Sequence, residues 1–315
     1  MKIVITDAGT VAVKNDVIDL DVFNKYGELT SFETTAPSQT AERIKDADIV
    51  LCNKTVLGRA ELEGSAVKYI GLFATGYNNI DTVYCRERGI VVCNAGQYST
   101  KAVAQQVFAF ILNHASSLDR YSALVADGRW IKDKYFSAYG LPTHELSGKT
   151  LGVVGYGAIG REVAKIAGVF GMKVLVCTRT VRDDGANYVS LNDLLGNSDY
   201  ISVNVPLTDE TKEMFGDAEF EKCRDGAYFI NTARGGVVNE SALRKALESG
   251  KLSGAAADVV TTEPMTADCL LFGAPNMIIT PHIAWTPVET RRRLIEIVEA
   301  NIAAWLAGAP VNVVN

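Results

Sequence analysis

The sequence has little from which a metal site or a cross-linked fold could be made. Its 315 residues hold three histidines, His114, His144 and His282, with no H-x-x-H or H-E-x-x-H spacing. A zinc centre therefore lacks its usual ligands, and no metal is expected. The six cysteines (Cys52, Cys85, Cys93, Cys177, Cys223 and Cys269) include no C-x-x-C pair, and several end apolar, strand-like runs. A thiol in such a place acts as a small buried hydrophobe, so reduced structural cysteines are expected. No apolar run reaches the length of about 18 residues that a membrane-spanning helix needs. No charged-then-apolar leader precedes the first strand-like run, Met1-Lys-Ile-Val-Ile5, and a cytoplasmic location is expected. Basic charge is also short: 31 Lys and Arg against 37 Asp and Glu leave a net charge of −6. That balance argues against nucleic acid and anionic membrane surfaces as partners.

What is present is a composition of globular type, 48% hydrophobic and 22% charged. The length suggests two domains of about 150 residues each. The first third alternates strand-like apolar runs (2–6, 29–32, 49–52, 69–73 and 91–93) with helical patterns such as 80–88. Such βα alternation implies a parallel sheet covered on both faces, with ligand-binding loops at the carboxyl ends of the strands. Those loops are 7–10, 53–55 (Asn53-Lys-Thr), 74–78 (Ala-Thr-Gly-Tyr-Asn) and 94–100. The 74–78 loop can turn backbone amides toward an anion such as a carboxylate, or it is a plain turn before the next helix.

Residues 150–160, Thr-Leu-Gly-Val-Val-Gly-Tyr-Gly-Ala-Ile-Gly, read as strand, tight turn and helix. Ile159, Val163, Ile166, Ala167 and Phe170 recur at helical spacing, and 173–177 is the next strand. Gly155, Gly157 and Gly160 thus stand in G-x-G-x-x-G order inside a strand–helix–strand unit. They would serve the sharp turn, backbone approach to a pyrophosphate and helix–strand packing, with the helix N-terminus, from Ala158 and Ile159, holding the anion. Further strands at 200–205, 227–231, 254–259 and 277–280 bring this unit to six, the number of a sheet built from two mononucleotide-binding halves. A helix at 240–248 ends at Gly250.

A long apolar helix is expected over 100–118, opened by the cap candidates Ser99 and Thr100, with His114 as a packed or surface histidine. From 119 to 146 the pattern loosens into Gly, Pro and aromatic residues, among them Trp130, Tyr135, Phe136, Tyr139 and Pro142. Such a segment covers a sheet edge or a partner subunit, and a homodimer is expected. The last helix, 286–306, opens on Thr286-Pro-Val-Glu289, a capping-box pattern with proline in the first helical position, and stops at Gly308. If it packs on the first domain, the chain crosses between domains near 94–100 and 283–286, and the cleft between them becomes the expected active site.

Three polar residues lie just past three strands of the second domain: Arg234 in Asn231-Thr-Ala-Arg-Gly235, Glu263 in Asp258-Val-Val-Thr-Thr-Glu-Pro264, and His282 in Pro281-His-Ile-Ala-Trp285. All three open on the sheet edge that carries the glycine turn. Together they suit proton-coupled hydride transfer to a keto acid. Arg234 would clamp the carboxylate and polarise the carbonyl. His282 would donate a proton to the carbonyl oxygen, and Glu263 would orient the imidazole and raise its pKa.

With Gly-Tyr-Gly-Ala-Ile-Gly160, Asn231-Thr-Ala-Arg-Gly-Gly236, Asp258-Val-x-x-x-Glu-Pro264 and Pro281-His-Ile-Ala-Trp285 in this order, the chain resembles the D-isomer-specific 2-hydroxyacid dehydrogenases over essentially its whole length. The resemblance implies an α/β fold of two domains: a Rossmann-type doubly wound parallel sheet for the dinucleotide at 99–285, and a flavodoxin-like substrate domain from 1–98 and 286–315. It implies catalytic roles for Arg234, Glu263 and His282. It places substrate near Asn53, Thr75, Gly76 and Trp285, and NAD or NADP near the glycine turn, Thr178, Arg179, Pro206, Thr211, Ala233, Asp258 and His282. It also implies homodimerisation through the dinucleotide domain. Within the family, residues 74–78 and 281–285 are most like glycerate dehydrogenases, also called hydroxypyruvate reductases, which act on hydroxypyruvate/glycerate or glyoxylate/glycolate. The alternatives are a short phosphoglycerate dehydrogenase, with Lys54 and Arg59 near a phosphate, and a dinucleotide-sensing corepressor-like protein. One departure bears on the cofactor. After the second strand stands Cys177-Thr-Arg-Thr180, with no carboxylate before Asp183 to hold a ribose 2′-hydroxyl. Arg179 then suits a 2′-phosphate, or only covers the adenine of NAD, and both remain open.

Overall fold

The computed structural model describes residues 1–12 and 17–315. It divides into two compact units, Met1–Ser99 with Thr286–Asn315, and Thr100–Trp285. The first contains β1 (Lys2–Ile5), β2 (Glu28–Ser31), α1 (Pro37–Ile44), β3 (Ile49–Cys52), α2 (Arg59–Leu62), β4 (Tyr69–Leu72), α3 (Thr82–Glu87) and β5 (Val91–Cys93). Every pairing is parallel, in the order β2-β1-β3-β4-β5, which is the flavodoxin-like order. β3 and β4 are buried along their whole length, as their unbroken apolar runs require of strands covered on both faces.

The second unit runs α4 (Thr100–Ser116), α5 (Leu118–Ala126), β6 (Thr150–Val154), α6 (Ala158–Val169), β7 (Lys173–Cys177), α7 (Leu191–Asn197), β8 (Tyr200–Val203), α8 (Asp217–Lys222), β9 (Ala227–Asn231), α9 (Glu240–Glu248), β10 (Leu252–Ala257) and β11 (Met277–Ile279). Its parallel sheet has the order β11-β10-β9-β8-β6-β7. One face packs on α4 and α6 through Val107, Phe110, Ile111 and Val163, and the other on Leu194, Phe215, Phe220 and Leu243. The sheet is therefore doubly wound. It is not two complete halves, because the place beside β7 holds a single bridge, Val176 to Tyr188, rather than a strand. The stretch before Tyr188, Asp183-Asp-Gly-Ala-Asn, has no apolar run from which to build one.

Several boundaries differ from the sequence expectation: β8 stops at Val203, β10 lies two residues before the expected 254–259, and the limits of α3, the long helix and the last helix shift. The long helix breaks at Ser117, which sits at φ +49° with its hydroxyl donating to Pro142 O at 2.6 Å. Residues 119–126 of the stretch expected to be loose are therefore helical. α5 buries none of its residues, so it shows no core-facing stripe to read. The last helix, α10 (Val288–Leu306), begins one residue later than expected, with Pro287 as its N-cap rather than inside its first turn.

α10 belongs to the first unit, where Leu294, Val298 and Ile302 are buried and Trp305 meets Tyr69 at 4.9 Å between ring centroids. Its buried Asn301 donates to Asn94 O and accepts from Asn312 Nδ2, and Val314 N pairs with Val92 O on β5. The tail so covers the sheet edge at β5. In the second unit His114 is packed. It stacks on Tyr228 with centroids 4.0 Å apart, lies 3.1 Å from Ser253 Oγ through Nε2, and burial lowers its pKa to about 4. The cysteines are all free thiols, and burial is the first cause of the raised pKa of Cys52, Cys85, Cys93, Cys177 and Cys223.

Candidate active site

The carboxyl end of β6 turns sharply at Gly155, whose φ of +90° favours glycine, and a β-carbon there would lie 2.6 Å from Asn204 O. At Gly160 a β-carbon would lie 2.1 Å from Gly155 O, so α6 closes directly on the turn. Gly157 differs from both. It is the N-cap of α6, offers no side-chain acceptor to the first-turn N–H groups, and a β-carbon on it would meet nothing within 4 Å. The turn is thus tight beneath and open at Gly157, and no side chain caps the first amides of α6. That arrangement fits the pyrophosphate of a dinucleotide. Thr178 and Arg179 follow β7 on one flank; Pro206 and Thr211, joined by the Thr211 hydroxyl donating to Pro206 O at 2.6 Å, follow β8 on the other.

Further along the same edge, β9, β10 and β11 deliver the charged residues. His282 Nδ1 lies 2.6 Å from Glu263 Oε2, while Glu263 Oε1 accepts from Val260 N at 3.1 Å. The carboxylate is thereby fixed to its own loop and to the imidazole at once. His282 holds a left-handed backbone, φ +55°, with its N–H donating to Asp258 O at 2.8 Å. The Asp258 side chain is 1% exposed and accepts from the Thr280 hydroxyl, Ile283 N and Ala284 N. Expected near the dinucleotide, Asp258 is first of all the anchor of the His282 loop. Trp285 ends that loop half-buried.

Arg234 is half-buried, its Nη1 donating to Ala233 O at 2.7 Å. Its backbone is set by Asn231, whose buried amide donates to Arg234 O and accepts from Ala233 N, both at 3.0 Å. Gly235 then lets this loop lie against the Glu263 loop, since a β-carbon there would fall 2.0 Å from the carbonyl carbon of Val260. Asn231 was visible in the quoted motif, but its anchoring role was not.

In the first unit, Asn53, Thr75 and Gly76 follow β3 and β4 at the carboxyl edge of that sheet. Asn53 is buried, and its side chain donates to the Thr10 hydroxyl at 3.0 Å. Thr75 donates through its hydroxyl to Gly96 O, and its carbonyl accepts from Asn94 Nδ2 at 2.8 Å. The N–H groups of Thr75 and Gly76 have no acceptor among the described residues, which suits an anion site rather than a closed turn. Sequence reasoning named the 7–10 loop but not the role of Asp7 in it. Its buried carboxylate accepts from the N–H groups of Asn53, Lys54 and Thr55, at 2.9, 2.6 and 2.8 Å, and so shapes the 53–55 loop. The available signal was an acid at the end of β1. Among the described residues no group of three or more His, Cys, Asp or Glu could hold a metal ion.

Residues 108–284 match the model of the D-isomer specific 2-hydroxyacid dehydrogenase, NAD binding domain. The chain is 38% identical to the hydroxypyruvate reductase of Blautia hydrogenotrophica, with 100% of both chains covered. Its structure is similar to that of an acyclic imino acid reductase (Bsp5) in complex with NADPH and D-Arg, with a TM-score of 0.89, 29% identity and both chains covered in full. It is also similar to the D-lactate dehydrogenase of Aquifex aeolicus complexed with NAD and lactic acid. There the TM-score is 0.84 and the identity 32%, over 98% of this chain and 96% of that one.

Proposed function

The chain belongs to the D-isomer-specific 2-hydroxyacid dehydrogenases, and on that premise we propose that it reduces hydroxypyruvate to D-glycerate and glyoxylate to glycolate. It is an NAD(P)-dependent oxidoreductase acting on a CH–OH group, and NAD(P)H when bound supplies the hydride. The observation that carries the residue assignment is the 2.6 Å contact of Glu263 with His282 on the sheet edge that also bears Arg234 and the glycine turn. The full-length likeness to a hydroxypyruvate reductase supports the small substrate, ahead of a short phosphoglycerate dehydrogenase.

Arg234 binds the substrate carboxylate and draws electron density from the neighbouring carbonyl. In the first unit the amides of Thr75 and Gly76 offer an anion site, with Asn53 at a neighbouring strand end; in the second, Trp285 bounds the substrate. With Nδ1 committed to Glu263, His282 presents Nε2 to the carbonyl oxygen. As the carbonyl carbon gains hydride and the C=O π pair moves to oxygen, Nε2 gives up its proton there, while Glu263 holds the ring in place through Nδ1. Asp258 keeps the imidazole in place through residues 283 and 284. The amides of Ala158, Ile159 and Gly160 would hold the pyrophosphate, Thr178, Arg179, Pro206 and Thr211 would flank the adenosine, and Ala233, Asp258 and His282 would face the nicotinamide.

A homodimer is part of the proposal. Ile131, Phe136 and Tyr139 are largely exposed, up to 94% for Phe136, beside α5, which buries none of its residues, and a second copy would bury them. No helix among the described residues is long and apolar enough to cross a membrane, and we assign the enzyme to the cytoplasm.

The test is the initial rate of NADH and NADPH oxidation with hydroxypyruvate, glyoxylate, pyruvate, phenylpyruvate and 3-phosphohydroxypyruvate. Hydroxypyruvate and glyoxylate are expected to give the highest kcat/KM. Preference for 3-phosphohydroxypyruvate would replace the proposal by the phosphoglycerate alternative, and turnover of none would end it.

A further inference from the structure

β7 and β8 flank β6 in the sheet, so a nucleotide lying over the glycine turn passes between their carboxyl ends. Two opposite charges meet there. Arg179, two residues past β7, donates from Nη1 to Oε2 of Glu210 at 2.7 Å, although the two residues are 31 positions apart. Their side chains are 81% and 70% exposed. The glutamate stands on the more rigid support. The turn beneath it is closed by Thr208 N donating to the Thr211 hydroxyl at 2.8 Å, by that hydroxyl donating to Pro206 O, and by Lys212 N donating to Thr208 O at 2.9 Å. Arg179 reaches across on a long side chain from an irregular segment.

The adenosine ribose of a dinucleotide bound at a strand–helix–strand turn lies at the end of the second strand, here β7. NADH presents a 2′-hydroxyl at that place and NADPH a doubly negative phosphate. No carboxylate follows β7 closely enough in sequence to accept the hydroxyl, and the cation that would attract the phosphate is already engaged by Glu210. We propose that Glu210 is a specificity-determining residue of the cofactor site: it holds the Arg179 guanidinium across the adenosine side of the crevice, competes with a 2′-phosphate for it, and shifts preference toward NADH. The inference rests on the dinucleotide occupying the glycine turn. Because an exposed ion pair is weak, the clasp lowers NADPH affinity without abolishing it. Because it is exposed, its influence fades as salt screens it.

The test is calorimetric titration of the full-length protein with NADH and with NADPH at low and high salt, for the wild type, Glu210→Gln, Arg179→Gln and the double variant. Glu210→Gln is expected to tighten NADPH binding by about three- to tenfold and to change NADH by less than about twofold, the scale of an exposed charge pair facing a phosphate. Arg179→Gln is expected to weaken NADPH selectively, and in its background Glu210→Gln should give no gain. Three results would overturn the proposal: equal effects of Glu210→Gln on both nucleotides, no effect on either, or a gain that persists without Arg179, since the carboxylate would then repel the phosphate unaided. If the wild type binds neither nucleotide, the dinucleotide assignment falls and the clasp with it. Binding of both with an unchanged ratio in Glu210→Gln removes the clasp alone.

Discussion

Replacing His282 by alanine is expected to lower kcat for hydroxypyruvate by about a thousandfold, the scale of a lost general acid, while NADH affinity stays within about twofold. The residue is held twice, its imidazole by Glu263 through Nδ1 and its backbone N–H by donation to Asp258 O. Its ring is therefore placed before substrate arrives, and removing it removes the proton donor rather than the fold. The Asp258 carboxylate would still hold Ile283 N and Ala284 N in the variant, so the loop keeps its course. Glu263→Gln should give a smaller loss, since an amide can still orient the ring through Nδ1, though without the carboxylate's stronger bond. Steady-state kinetics with a parallel nucleotide titration separates the two quantities. A His282→Ala enzyme with near-normal kcat, or one that has lost NADH binding, would mean that the histidine is structural.

Arg234→Lys is expected to lower kcat/KM by about a hundred- to a thousandfold, with KM raised and kcat reduced together. Lysine keeps the charge but loses the planar fork that meets a carboxylate with two parallel hydrogen bonds. The loop should survive, because Asn231 pins its backbone rather than the guanidinium. A variant whose kcat alone falls would place Arg234 on the carbonyl and off the carboxylate. Unchanged kinetics would exclude it from the site. Both substitutions leave the residues beneath them buried and bonded, which is why their effects should be catalytic and not those of misfolding.

Most of the sheet was legible because buried parallel strands read as unbroken apolar runs. Ile49–Cys52, Thr150–Val154 and Ala227–Asn231 lie where their sequence says, buried for nearly their full length. What failed to show was structure without a buried face. α5 touches no core, so helical spacing carried no signal there, and the bridge at Tyr188 has too few apolar neighbours to announce a strand. The positions of Arg234, Glu263 and His282 could be read because each follows a recognisable strand end. Their supports could not, because a supporting bond is a matter of register in space. Asp7 reaches a loop 46 residues away, and Glu210 meets Arg179 across two strand ends. Asp258 shows the same limit from the other side: its place in a motif was plain, but its three bonds to the His282 loop depend on β10 and β11 lying side by side.

The measurement that bears most directly on the whole account is the configuration and amount of product formed from hydroxypyruvate with NADH, read by chiral chromatography alongside absorbance at the nicotinamide band. One D-glycerate for each NADH consumed is the predicted result. L-glycerate, or NADH oxidised without glycerate, would contradict it.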